Sequence, residues 1–480
     1  MSQDTVVTPW RKLAFAALLA AYFFLVSRDS LKAGFTADEV FAIHVYWHPS
    51  PWRLLSSQFL LWHGYFRPTV GLFCVPIFLA FGLNSVPYHA GLLLLLLVGA
   101  YQMYRFARVL GASELAAAIV ALIACYHGGL SNIYFESVFV SDVLCCIFTL
   151  AAFTYYARIR ASGRLLTLGQ TLAFLGLYLL ALNSKEMAVT MPVMLLAYEW
   201  LYHKPPSLPW KELVAWLRGP GRVLCWAGLI NLVYIWGKQY GQYGLMKNSA
   251  YRPVYAWERL VDFQERYLGD IFYNLPRFGG PATCMIWLAV TWLAWRRKRP
   301  ILRFCWLWVA VTPLPIMFLY GRDQACLYVT LGGWALLAAT LFMDFLPGAT
   351  RVVAAEPWFR RLGQERVRVM LAAAAMIAWA WGSWSYKVSW VAPIIPKIDP
   401  PIQDVIAEVR AVNPQVPPAS KVVFLDDPLH NFDMSFIAEL WFRDRRTRVI
   451  LNQLTPLPPA ELAAADAIFT WRDGKLIRVR

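Results

Sequence analysis

The sequence predicts an all-α polytopic membrane protein of about 11 transmembrane helices, with a long first external loop carrying juxtamembrane helices and a small external α/β domain at the C-terminal end. Three observations predict it. Of 480 residues, 59% are hydrophobic and 15% charged, against about 45–50% and about 25% in soluble domains. The apolar residues fall in long blocks, among them 87–104, 139–157 and 326–343, each comparable to the roughly 17–25 residues that cross a bilayer as a helix. The lysines and arginines form short clusters between those blocks, as in loops on the cytoplasmic side of a membrane. The net charge of +16 therefore belongs to topology, and no nucleic-acid partner is expected.

Trp10-Arg11-Lys12 precedes the first apolar run. With no small-x-small cleavage site after it, residues 12–28 are expected to remain as the first membrane helix. The further spans expected are 87–104, 112–128, 139–157, 168–183, 187–203, 222–237, 281–295, 301–320, 326–344 and 367–384. The apolar stretch 69–83 is excluded from them by charge. If it crossed, every basic cluster from Arg105/Arg108 to Arg360-Arg361 would move to the side opposite Arg11/Lys12. It is read instead as a helix on the outer face or within the bundle. The N-terminus is then cytoplasmic, and Asp38-Glu39, Glu136, Lys185-Glu186 and Arg322-Asp323 emerge on the external side, where ionisable groups at a membrane surface mark function. The eight cysteines, none in the C-terminal region and none in a CxxC pair, read as packing thiols.

Residues 1–384 form the membrane domain in this reading, 385–420 a proline-rich linker, and 421–480 the external α/β domain. Strands are expected at 421–425, 447–451, 467–471 and 475–479, a helix at 433–443, and a hairpin turn at Asp473-Gly474.

Five constellations could carry chemistry. Thr36-Ala37-Asp38-Glu39 opens the first external loop, 29–86, which also holds His44, His48, Trp62, His63 and Tyr65-Phe66-Arg67-Pro68. Its paired carboxylates suit a general base with a metal or acceptor contact; equally, Thr36 can cap a helix that has acids in its first turn. Lys185-Glu186 lies between two apolar blocks, where a lysine can hold a phosphate or close a local ion pair. Glu136 and Asp142 flank the start of the 139–157 block, where Asp142 also suits a helix start. His44 and His48 share one helix face at i, i+4, a spacing too weak to specify a metal site and better suited to interfacial histidines. The aromatic-rich loop 238–280 fits sugar faces or an interfacial belt, and 256–271 is expected as an amphipathic surface helix.

The order of four segments resembles the multi-spanning glycosyltransferases of the GT-C superfamily. These are ADEVFAI (37–43), GYFRPTVGLFCVPIFLAFGLNSVPYH (64–89), IYFESVFVSDVLCCIFTLAAF (133–153) and LLALNSKEMAVTMPVMLLAYEW (179–200). The chain is most similar to the membrane region of O-mannosyltransferase-like proteins with tetratricopeptide repeats, and more distantly to protein O-mannosyltransferases and aminoarabinose lipid A transferases. DQACLYVTLGGWALL (323–337) is a weaker echo, and the likeness spans about residues 10–345. Glu39 stands where the family often has Asp, and Ser141 where it has Arg before Asp142.

The resemblance implies transfer of a sugar, with inversion, from a polyprenyl-phosphate donor to an extracytoplasmic acceptor (protein, lipid or glycan) at a cell (inner) membrane. By analogy Asp38 is the base and Glu39 supports the acceptor or a divalent ion, the one cofactor implied. Lys185 and Arg67 hold the donor phosphate. Glu136, Asp142, Glu186, His89 and Arg322 bind or orient substrate. Two readings from other classes stand beside this one: a transporter or flippase of lipid-linked sugars, which predicts internal pseudo-symmetry, and a catalytically silent membrane scaffold.

Overall fold

The structure, a computed structural model, describes residues 9–59, 66–203, 210–241, 244–273, 278–322, 324–429 and 431–480. Every expected apolar block contains a helix, although the helix in 301–320 ends at Val311 and the one in 112–128 at Cys125. Helix starts follow sequence chemistry: the Ser113 hydroxyl accepts the Ala116 N–H, and Thr167 and Gln170 form a reciprocal capping box. Among the described residues, five helical segments are long and apolar enough to cross a membrane: Leu13–Lys32, Ser85–Val109, Ser137–Ala161, Gln324–Ala355 and Arg360–Lys397. At 1.5 Å per residue a 25-residue helix reaches roughly 37 Å, enough for a hydrocarbon core of about 30 Å. The apolar helices Pro68–Phe81, Glu114–Cys125, Leu168–Ser184 and Pro300–Val311 are shorter, at 10–17 residues. So 69–83, set apart from the spans on charge, is indeed a short helix, and several blocks expected as spans are also shorter than a full crossing.

The Ser137–Ala161 and Gln324–Ala355 helices run through the centre, each 78% buried over its apolar window, whereas Leu13–Lys32 and Arg360–Lys397 lie at the edge, 22% and 17% buried. Around this bundle large apolar side chains face outward, including Leu18, Leu94, Leu232, Trp292, Ile377 and Trp381. A water-soluble surface does not carry apolar area on that scale; lipid is the solvent it suits. At one end of the central helix Val140–Ala161, buried Arg160 grips Glu199 through two bonds of 2.8 and 2.9 Å, and Tyr156 donates to the same carboxylate. Asp142 lies at the other end of that helix.

Residues 400–480 carry the small mixed sheet, in the order β2-β1-β3-β4: β1 Lys421–Phe424, β2 Arg448–Leu451, β3 Ala467–Arg472 and β4 Lys475–Arg478. β1 pairs parallel with β2 and β3, and β3 antiparallel with β4. The turn joining β3 to β4 places Asp473 at φ 50° and Gly474 at φ 74°, the left-handed pair that an Asp-Gly hairpin requires. The expected linker differs from the structure: Pro400–Val412 is a helix, because Ile402, Val405, Ile406 and Val409 recur at helical spacing and bury against the domain. Its Pro400-Pro401 start is the helix N-terminus that prolines favour. This domain shares one core with the first loop and the start of the helix Ser85–Val109: Phe35, Val40, Ile43, Trp47 and Phe78 of the loop and Tyr88 of the helix pack with Ile402, Val422, Met434 and Ile437.

Candidate functional site

Thr36 starts the helix Ala37–Trp47 with a capping box: the Glu39 N–H donates to the Thr36 hydroxyl at 3.3 Å, and the Thr36 N–H to Glu39 Oε2 at 2.7 Å. The Ser137 N–H donates to the other Glu39 oxygen. Glu39 is 1% exposed with both oxygens engaged, so it fixes the helix start against the Ser137–Phe139 turn. Asp38, the next residue on the same turn, is exposed. Half-buried Glu136 completes this acidic corner; burial, with Glu39 and Asp38 adding, pushes its carboxyl up to about 7. His89 is fully buried within electrostatic reach of Glu39. Among the described residues no three His, Cys, Asp or Glu side chains gather as metal ligands. The Asp38–Glu39 pair, with Glu39 committed, does not fit a divalent ion by itself.

The raised Glu136 value sets a pH dependence. A carboxyl that ionises near 4.5 when unfolded and near 7 when folded binds the extra proton in the folded state. Its contribution to stability is full below about 4.5 and is lost as pH rises through about 7. Thermal unfolding of the purified protein at pH 5 and pH 8 checks this: wild type is expected to lose more stability across the interval than Glu136→Gln.

A second group, built from four chain segments, contains the cations. Lys185 is held in extended backbone between the helix Leu168–Ser184 and the turn Glu186–Thr190, with its N–H bonded to Ala181 O at 3.1 Å. That break sends the two neighbours apart, so the local Lys185–Glu186 pair is not formed. Lys185 Nζ lies 2.5 Å from Asp142 Oδ2 and 3.4 Å from Cys326 Sγ. Burial works against the Lys185 charge, yet Asp142 outweighs it and raises the ammonium above its usual range. Glu186 instead receives Arg67 Nη2 at 2.9 Å, with Lys238 Nζ at 3.6 Å from its second oxygen. Burial favours a neutral Glu186, but Arg67 and Lys238 win and hold it down at about 2. Lys238 also donates to Phe66 O at 2.8 Å. Arg322 stacks on the Tyr251 ring at 4.6 Å.

Three cations thus face two carboxylates, and Arg322 adds a further positive charge at the edge. Buried Arg67 Nε, Asp142 Oδ1 and Glu186 Oε1 have no hydrogen-bond partner. Unpartnered buried polar atoms are costly; Glu186 Oε1 still has the Lys238 ammonium at 3.6 Å, but Arg67 Nε and Asp142 Oδ1 beside surplus positive charge suit an oxyanion with hydroxyl groups next to it. The acidic corner adjoins this cluster through the Ser137–Asp142 segment, which touches Glu39 at one end and Lys185 at the other.

The structure therefore brings Arg67, Asp142, Lys185 and Glu186 into one cluster, places Arg322 at its edge, and gathers Asp38, Glu39, Glu136 and His89 at the adjoining corner. His44 faces the C-terminal domain instead, 2.6 Å from Glu439, with His48 exposed beside it. Trp62, His63, Tyr65 and Asp323 lie outside the described residues. Sequence reasoning missed Lys238 and did not single out Tyr251 among the aromatics of the loop 238–280. A lone lysine closing the apolar block 222–237 was the available signal for the first; Tyr251 looked like any other aromatic in its loop. No family model matches the chain, and no curated protein matches it.

Proposed function

We propose that the protein is a GT-C-type membrane glycosyltransferase that moves a sugar from a polyprenyl-phosphate donor to a hydroxyl acceptor. In this reading all the apolar blocks outside 69–83 cross or re-enter the membrane, and the site and C-terminal domain face away from the cytoplasm of a cell (inner) membrane. The observation that carries it is the Arg67–Lys185–Lys238 cluster with its unpartnered polar atoms, joined through the Ser137–Asp142 segment to the corner that bears the exposed Asp38.

Asp38 takes the proton of the acceptor hydroxyl. The acceptor oxygen bonds the anomeric carbon from the face opposite the phosphate, the carbon–oxygen bond to phosphate breaks, and configuration inverts. The departing polyprenyl phosphate gains a negative charge, and fixed cations are worth most where charge develops. Lys185, Arg67 and Lys238 supply them, with Arg322 at the rim. Asp142 aims Lys185, and Glu186 aims Arg67 and Lys238. Glu136, protonated for part of the time near neutrality, can donate to a sugar hydroxyl, and His89 backs the corner. No step needs a metal ion.

Binding of a radiolabelled polyprenyl phosphate to protein in nanodiscs tests the phosphate assignment. Lys238→Ala is expected to weaken it by roughly tenfold, the scale of one charge-assisted contact. Unchanged binding in Lys238→Ala and Arg67→Ala together would remove phosphate from this cluster.

A further inference from the structure

The C-terminal domain does more than rest on the first loop. Asp399 stands at the N-terminal cap position of the helix Pro400–Val412, where an aspartate ordinarily caps its own helix. Its side chain makes no such bond. Asp399 Oδ2 instead accepts the N–H of Ala37 at 2.8 Å, across 362 residues of sequence. Ala37 is the first residue of the helix that bears Asp38, so the C-terminal domain satisfies one of the four amides that a helix leaves open at its start. The backbone of Asp399 is held at φ 42°, ψ 60° immediately before Pro400, a left-handed conformation that a following proline disfavours. Such strain persists only where the surroundings over-determine it.

The surroundings do so. Gln403, one turn further on, presses on Gly34 so closely that a Cβ there would overlap it. Glu439 meets His44 at 2.6 Å, Arg445 donates to Trp47 O at 3.0 Å, and Phe436 lies 5.4 Å from Phe41. The acidic helix is thus held at its first residue, on its flank and at its last residue by one domain. Asp433 of that domain feels Asp38 directly: burial pushes its carboxyl up, and Asp399, Asp38 and Asp427 add to the push.

We propose that the C-terminal domain is the clamp that sets the position of Asp38, with Asp399 as its positioning residue. This rests on the glycosyltransferase reading for its consequence in turnover, but the clamp itself is physical and is read separately. A misplacement of the order of an ångström at a reacting group costs up to about a hundredfold in rate. Asparagine can still accept the Ala37 N–H through its amide oxygen, so the two Asp399 variants separate a geometric role from a merely charged one.

The test uses full-length protein in nanodiscs, wild type against Asp399→Ala and Asp399→Asn, with two readouts. In Asp399→Ala, amide hydrogen exchange across 36–47 is expected to accelerate and kcat to fall roughly tenfold with donor KM unchanged. Both are expected to return towards wild type in Asp399→Asn. Exchange in Asp399→Ala equal to wild type overturns the clamp, as does accelerated exchange with unaltered kcat. If wild type transfers sugar from no donor, the glycosyltransferase reading fails, and the exchange arm still decides the clamp.

Discussion

Asp38→Asn is expected to lower sugar transfer by roughly 10²–10⁴-fold, the usual contribution of a general base, while donor binding persists. The substitution keeps the shape and removes the proton acceptor. Asp38 is exposed and forms no part of the Thr36–Glu39 capping box, so loss of the fold does not explain a loss of rate. Glu39→Gln is the informative contrast. Glu39 is buried and accepts two backbone amides, so its change acts through the helix start and lowers stability as well as rate. Steady-state transfer alongside thermal unfolding separates the two: Asp38→Asn loses turnover at constant stability, Glu39→Gln loses both.

The largest effect on stability is expected at Lys185. Lys185→Ala leaves Asp142, 2% exposed, as an uncompensated buried charge with its second oxygen already unpartnered, and breaking such a pair costs about 3–5 kcal/mol. Removing both charges has a different outcome. Lys185→Met with Asp142→Leu deletes the desolvation penalty together with the attraction, and buried pairs replaced by apolar residues of similar size are often neutral in stability. Thermal unfolding should therefore show a large loss in the single variant and recovery in the double one. Donor binding should be lost in both. A double variant that regains binding would make the pair purely architectural.

Much of this arrangement was legible in the sequence because it is written in local chemistry. Apolar runs gave the helices, Thr36 followed by Asp38 and Glu39 gave the helix start, and Asp473-Gly474 gave the hairpin. The failures have a common physical cause, which is partnering across distance. Adjacent Lys185 and Glu186 invited a local ion pair, but extended backbone at Lys185 sends each to a different helix. Lys238 gains its meaning only when Phe66 O and Glu186 arrive from 52 or more residues away. The proline-rich stretch read as a linker because prolines break helices, whereas Pro400-Pro401 begin one. Helix length also escaped hydropathy: Glu114–Cys125 ends after 12 residues although its apolar block runs on.

Sugar transfer is read most directly by incubating the purified protein in lipid with a panel of radiolabelled polyprenyl-phosphate sugars and an acceptor fraction from the membrane's outer side. Product formation and the anomeric configuration of the new bond are the readouts. Transfer from at least one donor, with inverted configuration, is expected, and its loss in Asp38→Asn. Transfer from none of the donors, with labelled lipid instead crossing the bilayer at a rate that Asp38→Asn leaves unchanged, would contradict the glycosyltransferase reading and assign the cation cluster to transport.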